Sequence, residues 1–478
     1  MGDLNVKVNS STYLTCLRPV LKELLDALLE RYEYASILAT DVEMKNYNVS
    51  RSGIRIAENN MFGRRGFTAR VYKEHGYLEY SGNSLSADMI PEILAYFDGP
   101  LTGFAKTFDR VETPVMDDQE VSFVKSTEYR IHPAELGDEA IVDKLVTLRE
   151  NTMKADESLL ECSVRMNYQV YHKVFLSRHR DLEQNIMFSD GACFCLARKG
   201  EAVKDGYASV SLLGGAEVLD QLADCADKAV DAVKAALIAE PLVPGEYDCI
   251  CTPTVTGMIV HEAFGHGVEM DMFVKDRALA RSCMGQQVAS ELVTMKDGAA
   301  TTYEDVATYF FDDEGNLAAD TVIIDKGILV SGINDGVSAA RLGVKPTGNG
   351  RRESVDHKVY TRMTNTFFTE GTSKVEDMIA SVEDGLLLDC PTSGMEDPKN
   401  WGIQCMVSFG REIKDGRLTG RVFGPIVLTG YVPDLLKSIS MISEKVEHCG
   451  SGACGKGWKE WVKVSDGGPY IKARIRMG

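Results

Sequence analysis

The chain has 478 residues, 44% hydrophobic and 26% charged, the balance of an ordinary globular protein with apolar material for about three domains. Its 52 Lys and Arg stand against 71 Asp and Glu, and the formal net charge of −19 opposes contact with nucleic-acid phosphates or anionic lipid over most of the surface. No apolar run reaches membrane-spanning length and the start lacks an apolar signal core, so neither nucleic acid nor membrane is expected as a partner.

Leu14, Leu17, Leu21, Leu24, Leu25, Leu28 and Leu29 recur at helical spacing through Arg31 and predict a first helix, with Pro19 at a first turn or a kink. Over 35–80 the pattern changes to strands parted by Asn, Gly and Arg-rich turns, and a second helix over 90–97 ends at Asp98-Gly99-Pro100. The order then repeats. Helical spacing over 139–153 precedes strict alternation over 162–176, and Asn60-Met61-Phe62 and Asn185-Ile186-Met187-Phe188 occupy similar places, the marks of a weak internal duplication. An alanine-rich helix over 216–239 runs into Pro241-Leu242-Val243-Pro244-Gly245, the clearest boundary in the chain. The expected fold class is α+β: a helix-plus-antiparallel-sheet domain over 1–115, a second over 116–240, and a β-rich domain over 241–478.

In that last part, 248–251 reads as a buried strand feeding a helix, followed by short strands over 321–324, 328–331, 403–409 and 421–427 and a late helix over 433–446. Asp325-Lys326-Gly327 and Lys414-Asp415-Gly416 read as hairpin turns, the first suited to a three-residue loop with glycine at positive φ. Asp312-Asp313-Glu314-Gly315-Asn316 reads as a turn rather than a cation loop.

The chemistry gathers where the apolar strand meets its helix. His261 and Glu262 are adjacent and His266 follows five residues after the first histidine, among glycines 265 and 267. Two imidazoles are good zinc ligands, and a neighbouring carboxylate can take a proton from activated water. The spacing is H-E-x-x-x-H, and five residues on a regular α-helix turn the second ring about 140° from the first, against about 40° for four. A helix that aims both rings at one ion must therefore leave i to i+4 bonding between His261 and Gly267, with Gly265 the residue that permits it. A third ligand has to come from elsewhere: Glu269, Asp271, His357, His448, Cys449 and Cys454 are all available, and the glycines around Cys454 favour it. Glu262 is the candidate general base. Asn349, Arg351 and Arg352, in a turn-rich stretch, are candidates for holding a substrate backbone or carboxylate. The twelve cysteines show no C-x-x-C spacing and sit mostly in apolar company, as free thiols do in a reducing cytoplasm.

Five ordered segments resemble one family. His261-Glu262-Ala263-Phe264-Gly265-His266, Asp312-Asp313-Glu314-Gly315, Thr347-Gly348-Asn349-Gly350-Arg351-Arg352, Arg362-Met363-Thr364-Asn365-Thr366 and Gly452-Ala453-Cys454-Gly455-Lys456 are similar to signatures of the TldD/PmbA metallopeptidases, on the TldD branch. After Lys456 the family's usual Gly-Gln gives way to Gly457-Trp458-Lys459-Glu460. The resemblance selects Cys454 as the third zinc ligand. It implies a cytoplasmic peptidase acting on unfolded peptides or leader segments, enclosed in a homodimer or in a heterodimer with a PmbA-like subunit. The alternative is a noncatalytic regulatory partner of the DNA gyrase modulator type. The metal histidines, absent from the PmbA-like branch, argue against it.

Overall fold

The computed structural model describes residues 5–58, 63–100, 110–115, 119–457 and 460–478. Asn60-Met61-Phe62, one landmark of the expected duplication, lies outside them. The leucine repeat forms α1 (Thr12–Leu29), opened by the Ser11 side chain accepting from Leu14 N, with Pro19 inside the helix. Its buried face of Leu14, Leu17, Leu21, Leu24, Leu25 and Leu28 covers a sheet whose strands begin with β1 (Ala35–Ser50), β2 (Gly53–Ala57), β3 (Gly66–Lys73) and β4 (Gly76–Gly82). α2 (Ile90–Asp98) packs on the same core through Ile93 and Phe97.

The second N-terminal segment does not start a new sheet. β5 (Val121–Ser126), β6 (Leu159–Ser177), β7 (Arg180–Lys199) and β8 (Ala202–Leu212) join the first four strands in one eight-stranded sheet, ordered β8-β7-β6-β1-β3-β4, with β2 on β1 and β5 on β7. The boundary expected at residue 116 is thus crossed by hydrogen bonds between β1 and β6, from Ser36 opposite Ser177 to Val49 opposite Val164. α3 (Asp138–Ala155) and α4 (Leu222–Ile238) cover one face of this half, over Tyr47, Val164, Met166 and Cys193. The stretch expected as one alanine-rich helix opens with a 3-10 segment, Ala216–Gln221, in which the Glu217 carboxylate accepts from Arg130 N and Ile131 N.

Past the proline-rich boundary, Gly245–Cys251, Asp384–Asp397, Gly402–Lys414, Ile426–Tyr431 and Ile471–Met477 pair in succession, and the last pairs again with the first. The ring closes as a small barrel. Its interior is filled by Cys251, Leu388, Cys405, Leu428, Ile471 and Ala473, and it leaves those strands no free edge. A second sheet of six strands, from Ile328–Leu329 through Asn365–Phe368 to Ser465–Gly468 and Glu447–Cys449, packs beside it.

Three local expectations change. The stretch over 421–427 is two strands, Arg417–Phe423 and Ile426–Tyr431, parted at Gly424-Pro425 where proline has no N–H for the ladder. The late helix stops at Val432–Lys437, because Met441–Ile442 is recruited as a strand against Ile471–Met477. Both hairpin loops hold two residues: Lys326-Gly327 joins Asp325 to Ile328 and Asp415-Gly416 joins Lys414 to Arg417, with positive φ at both loop positions. Among the described residues no helix is long and apolar enough to cross a membrane.

Ion pairs tie the halves together. Arg70 bonds Glu314, Lys173 bonds Asp313, Arg352 bonds Glu79 at 2.9 Å and Lys463 bonds Asp190 at 2.8 Å. The acidic turn is therefore an internal joint, in which burial and the neighbouring Glu314 push Asp312 up to about 8.

Candidate metal centre

Strand Gly245–Cys251 delivers the chain into α-helix Pro253–Met258, and the helix then widens into a π-helical segment, Ile259–Gly265, before tightening to a 3-10 turn, His266–Val268. The departure from i to i+4 bonding falls where the histidine spacing requires it. In a π-turn, residues five apart stack as residues four apart do in an α-helix, and the His261 and His266 rings meet at 5.2 Å between centroids and 86°. Gly265 permits the turn through its missing Cβ. Its φ of −58 and ψ of −45 are ordinary for a helix, so it supplies closeness rather than backbone freedom. A Cβ there would overlap Met363 Sδ and lie 3.1 Å from Val260 O.

Cys454 reaches the histidines on a short strand, Ala453–Cys454, paired with Val462–Lys463. Its Sγ lies 3.5 Å from His266 Nε2, and ligand atoms of His261, His266 and Cys454 all fall within 4.8 Å of one another. This set fits zinc. Ligands at about 2.0–2.1 Å (N) and 2.3 Å (S) in a tetrahedron put nitrogen and sulfur about 3.6 Å apart, and His261 Nδ1 is buried without a hydrogen-bond partner among the described residues. Burial works to raise the Cys454 thiol, but the facing imidazoles outweigh it and hold the group well below its ordinary value. Burial likewise opposes charge on both histidines, yet Cys454 raises His261, and Cys454 with Glu269 raises His266.

The other candidate ligands go elsewhere. Glu269 Oε2 faces Nδ1 of His266 at 3.6 Å and binds Lys456 Nζ at 3.0 Å, while Asp271 binds the same ammonium at 2.8 Å. Burial would raise Glu269, but Lys456 and His266 lower it further. His448 stacks on Tyr303 and Phe367, and burial pushes it down to about 4. Cys449 contacts Ser209 at 3.1 Å. His357 faces Glu460 and Glu353 at 3.3 and 3.8 Å, a second group of ligand-capable atoms within 4.8 Å.

Glu262 leaves 33% of its side chain open and brings Oε2 to 3.8 Å from His266 Nε2. Asn349, Arg351 and Arg352 stand with their side chains in internal bonds: Asn349 to Asp297 and Arg362 O, Arg351 to Met363 O and Lys463 O, Arg352 to Glu79 and His357 O. Sequence reasoning passes over Glu396, whose buried carboxyl lies against the Gly267 backbone. Burial pushes it up to about 8. Asp466, beside Gly257 and raised by burial to about 6, is a further carboxyl close to His261 and Glu262. Neither carries a local signal, because chain segments far apart in sequence bring them to the helix.

Comparison with known proteins follows this geometry. Residues 244–476 match the model of the PmbA/TldA metallopeptidase C-terminal domain. A metalloprotease of Methanothermobacter thermautotrophicus is 30% identical over 59% of this chain and 61% of its own, and a metalloprotease TldD homologue of Haemophilus influenzae is 36% identical over 45% and 44%. The matched stretches thus span less than two thirds of these relatives. A solved structure from Thermotoga maritima, named as a candidate modulator of a DNA gyrase, superposes with a TM-score of 0.76 over 96% of this chain and all of its own at 15% identity, a likeness of fold.

Proposed function

Because the chain belongs to the TldD/PmbA family, we propose that it is a zinc-dependent peptidase that hydrolyses unfolded or extended peptides, with Glu262 as general base. The observation that carries the reading is the convergence of His261, His266 and Cys454, achieved only by a widened helical turn. When bound, zinc supplies a Lewis acid that polarises a carbonyl and brings the ionisation of water close to neutral pH. The chain's own groups do the rest. Glu269, at His266 Nδ1, orients the ring so that Nε2 faces Cys454, and Lys456 and Arg362 hold that carboxylate in place. Glu262, whose Oε2 stands 3.8 Å from His266 Nε2, takes a proton from water at that oxygen and returns it to the leaving amine.

Extended substrates are supported by the strand-rich surroundings of the centre, where a peptide can add main-chain hydrogen bonds. A cytoplasmic homodimer, or a heterodimer with a PmbA-like subunit, accompanies this reading. The rival, a noncatalytic modulator, rests on the name of a structural relative at 15% identity. It leaves the histidines, the thiolate and the open carboxylate without a task. Zinc analysis of the purified chain, with digestion of one substrate protein in folded and denatured forms, tests the proposal. We expect about one zinc per chain and preferential cleavage of the denatured form; absence of zinc, or equal cleavage of both forms, would contradict it.

A further inference from the structure

A cleft of about 950 Å³ lies between the eight-stranded sheet and the segment that carries Cys454, with Ala453 in its wall. Among the described residues its charged lining is Arg55, Arg165, Asp190 and Lys463. Asp190 and Lys463 neutralise each other at 2.8 Å. Among the described residues neither Arg55 nor Arg165 has a carboxylate partner. Arg165 donates from Nη2 to Tyr207 Oη at 3.0 Å, and its buried Nε has no partner among the described residues.

Register fixes where the two guanidiniums stand. Arg55 on β2 is opposite Asn48 on β1, and Asn48 is opposite Arg165 on β6. Directly paired residues share a sheet face, and this is the face opposite buried Tyr47, Val49 and Val164. The same row continues through Ala192 to Ser209, which accepts from Ser451 at 2.7 Å. Two strand spacings, about 10 Å, thus separate Arg165 from the covering segment, and Cys454 follows within three residues.

We propose that Arg165 and Arg55 form a carboxylate-binding subsite of this cleft, selecting peptides that present a carboxylate roughly three to six extended residues from the bond cut, at about 3.3 Å per residue. The inference rests on the peptidase reading above. Guanidinium forks match carboxylates, and these two line the same cleft with no carboxylate bonded to either among the described residues. The net charge of −19 repels an anionic substrate over most of the surface, and the two guanidiniums oppose that repulsion inside the cleft. Asn48 stands between the two arginines and Asn46 and Asn167 pair one row along, so the cleft floor here is polar but uncharged.

The carboxylate has two sources, an Asp or Glu side chain and a peptide C-terminus. The test uses labelled octapeptides of one neutral sequence in four forms: amidated, free acid, amidated with one internal Glu, and amidated with one internal Lys. Hydrolysis by the full-length chain is read as kcat/KM, and binding as fluorescence polarisation with the Glu262→Gln protein. We expect at least about a tenfold preference for one carboxylate form over the amidated neutral peptide, shrinking with added salt as exposed charges are screened. The favoured form identifies the source. Arg165→Gln and Arg55→Gln should each reduce the preference ratio several-fold, and Arg165→Glu should turn it toward the Lys peptide. Arg55 is exposed, so its variants read the subsite even where Arg165 substitutions impair folding. Equal kcat/KM and equal binding for the acidic and amidated neutral peptides, or a preference untouched by both arginine variants, would overturn the subsite. Absence of hydrolysis of every form would count against the peptidase reading, while the binding arm still decides the subsite.

Discussion

Gly265→Ala adds a single methyl group to the metal centre and touches no ligand. The new Cβ would overlap Met363 Sδ and stand 3.1 Å from Val260 O, inside a core where Met363 and Val260 are both fully buried. Neither neighbour has free space to enter, so the π-turn itself must shift. Overpacking of this kind costs about 1–3 kcal/mol. Whatever part of that is relieved by displacing His261 or His266 appears as lost metal affinity, and at 1.4 kcal/mol per tenfold the expected weakening is about 10- to 100-fold. The assay is zinc competition against a chelating dye, run beside thermal unfolding of the zinc-free protein. Because the clash is with one side chain, Met363→Ala should restore much of the affinity in the double variant, giving a coupling of about 1 kcal/mol or more. Unchanged zinc affinity in Gly265→Ala, or a double variant that sums the two single losses, would refute the close-packing account of this glycine.

Other outcomes follow from the same geometry. Cys454→Ala should lose the zinc while Cys449→Ala, whose thiol contacts Ser209, retains it, as metal analysis of the two purified variants will show. The raised pKa values of His261 and His266 mean that protons compete with metal at higher pH than for free imidazole, whereas the depressed Cys454 stays a thiolate below its ordinary range. Zinc affinity should therefore rise with pH and fall off as the medium is acidified through the imidazole range, starting above the usual histidine value of about 6.5; a pH-titrated competition assay would contradict this by showing loss only at thiol pH. Lys456→Met leaves the buried carboxylates of Glu269 and Asp271 without their shared ammonium, and removal of one partner of a buried ion pair costs about 3–5 kcal/mol. Denaturant unfolding should show that loss, together with weaker zinc binding through the misoriented His266.

The parts of this fold legible in the sequence are those written in local periodicity. The leucine repeat of α1 and the alternation over 162–176 specify their elements because each buries one face against whatever covers it. What local pattern cannot carry is the partner. Nothing in the two N-terminal segments announces that β1 pairs with β6 in one sheet, or that Ile471–Met477 returns to Gly245–Cys251 to close a barrel. Met441 and Ile442 read as the end of a helix until the neighbouring strand recruits them. At the site, the five-residue histidine spacing made the irregular turn a geometric necessity, and Cys454 stood out through its glycines. Asp466, Glu396 and the arginine pair of the cleft became visible only once distant strands were in register.

The central claim is that Glu262 moves the proton at a zinc site it does not help to bind. Glu262→Gln keeps the size of the side chain and removes its basicity, so zinc content and peptide hydrolysis measured on one preparation separate the two roles. The account predicts about one zinc per chain, as in the wild type, with turnover of an unfolded peptide reduced at least about 100-fold. Undiminished turnover with zinc in place would contradict it.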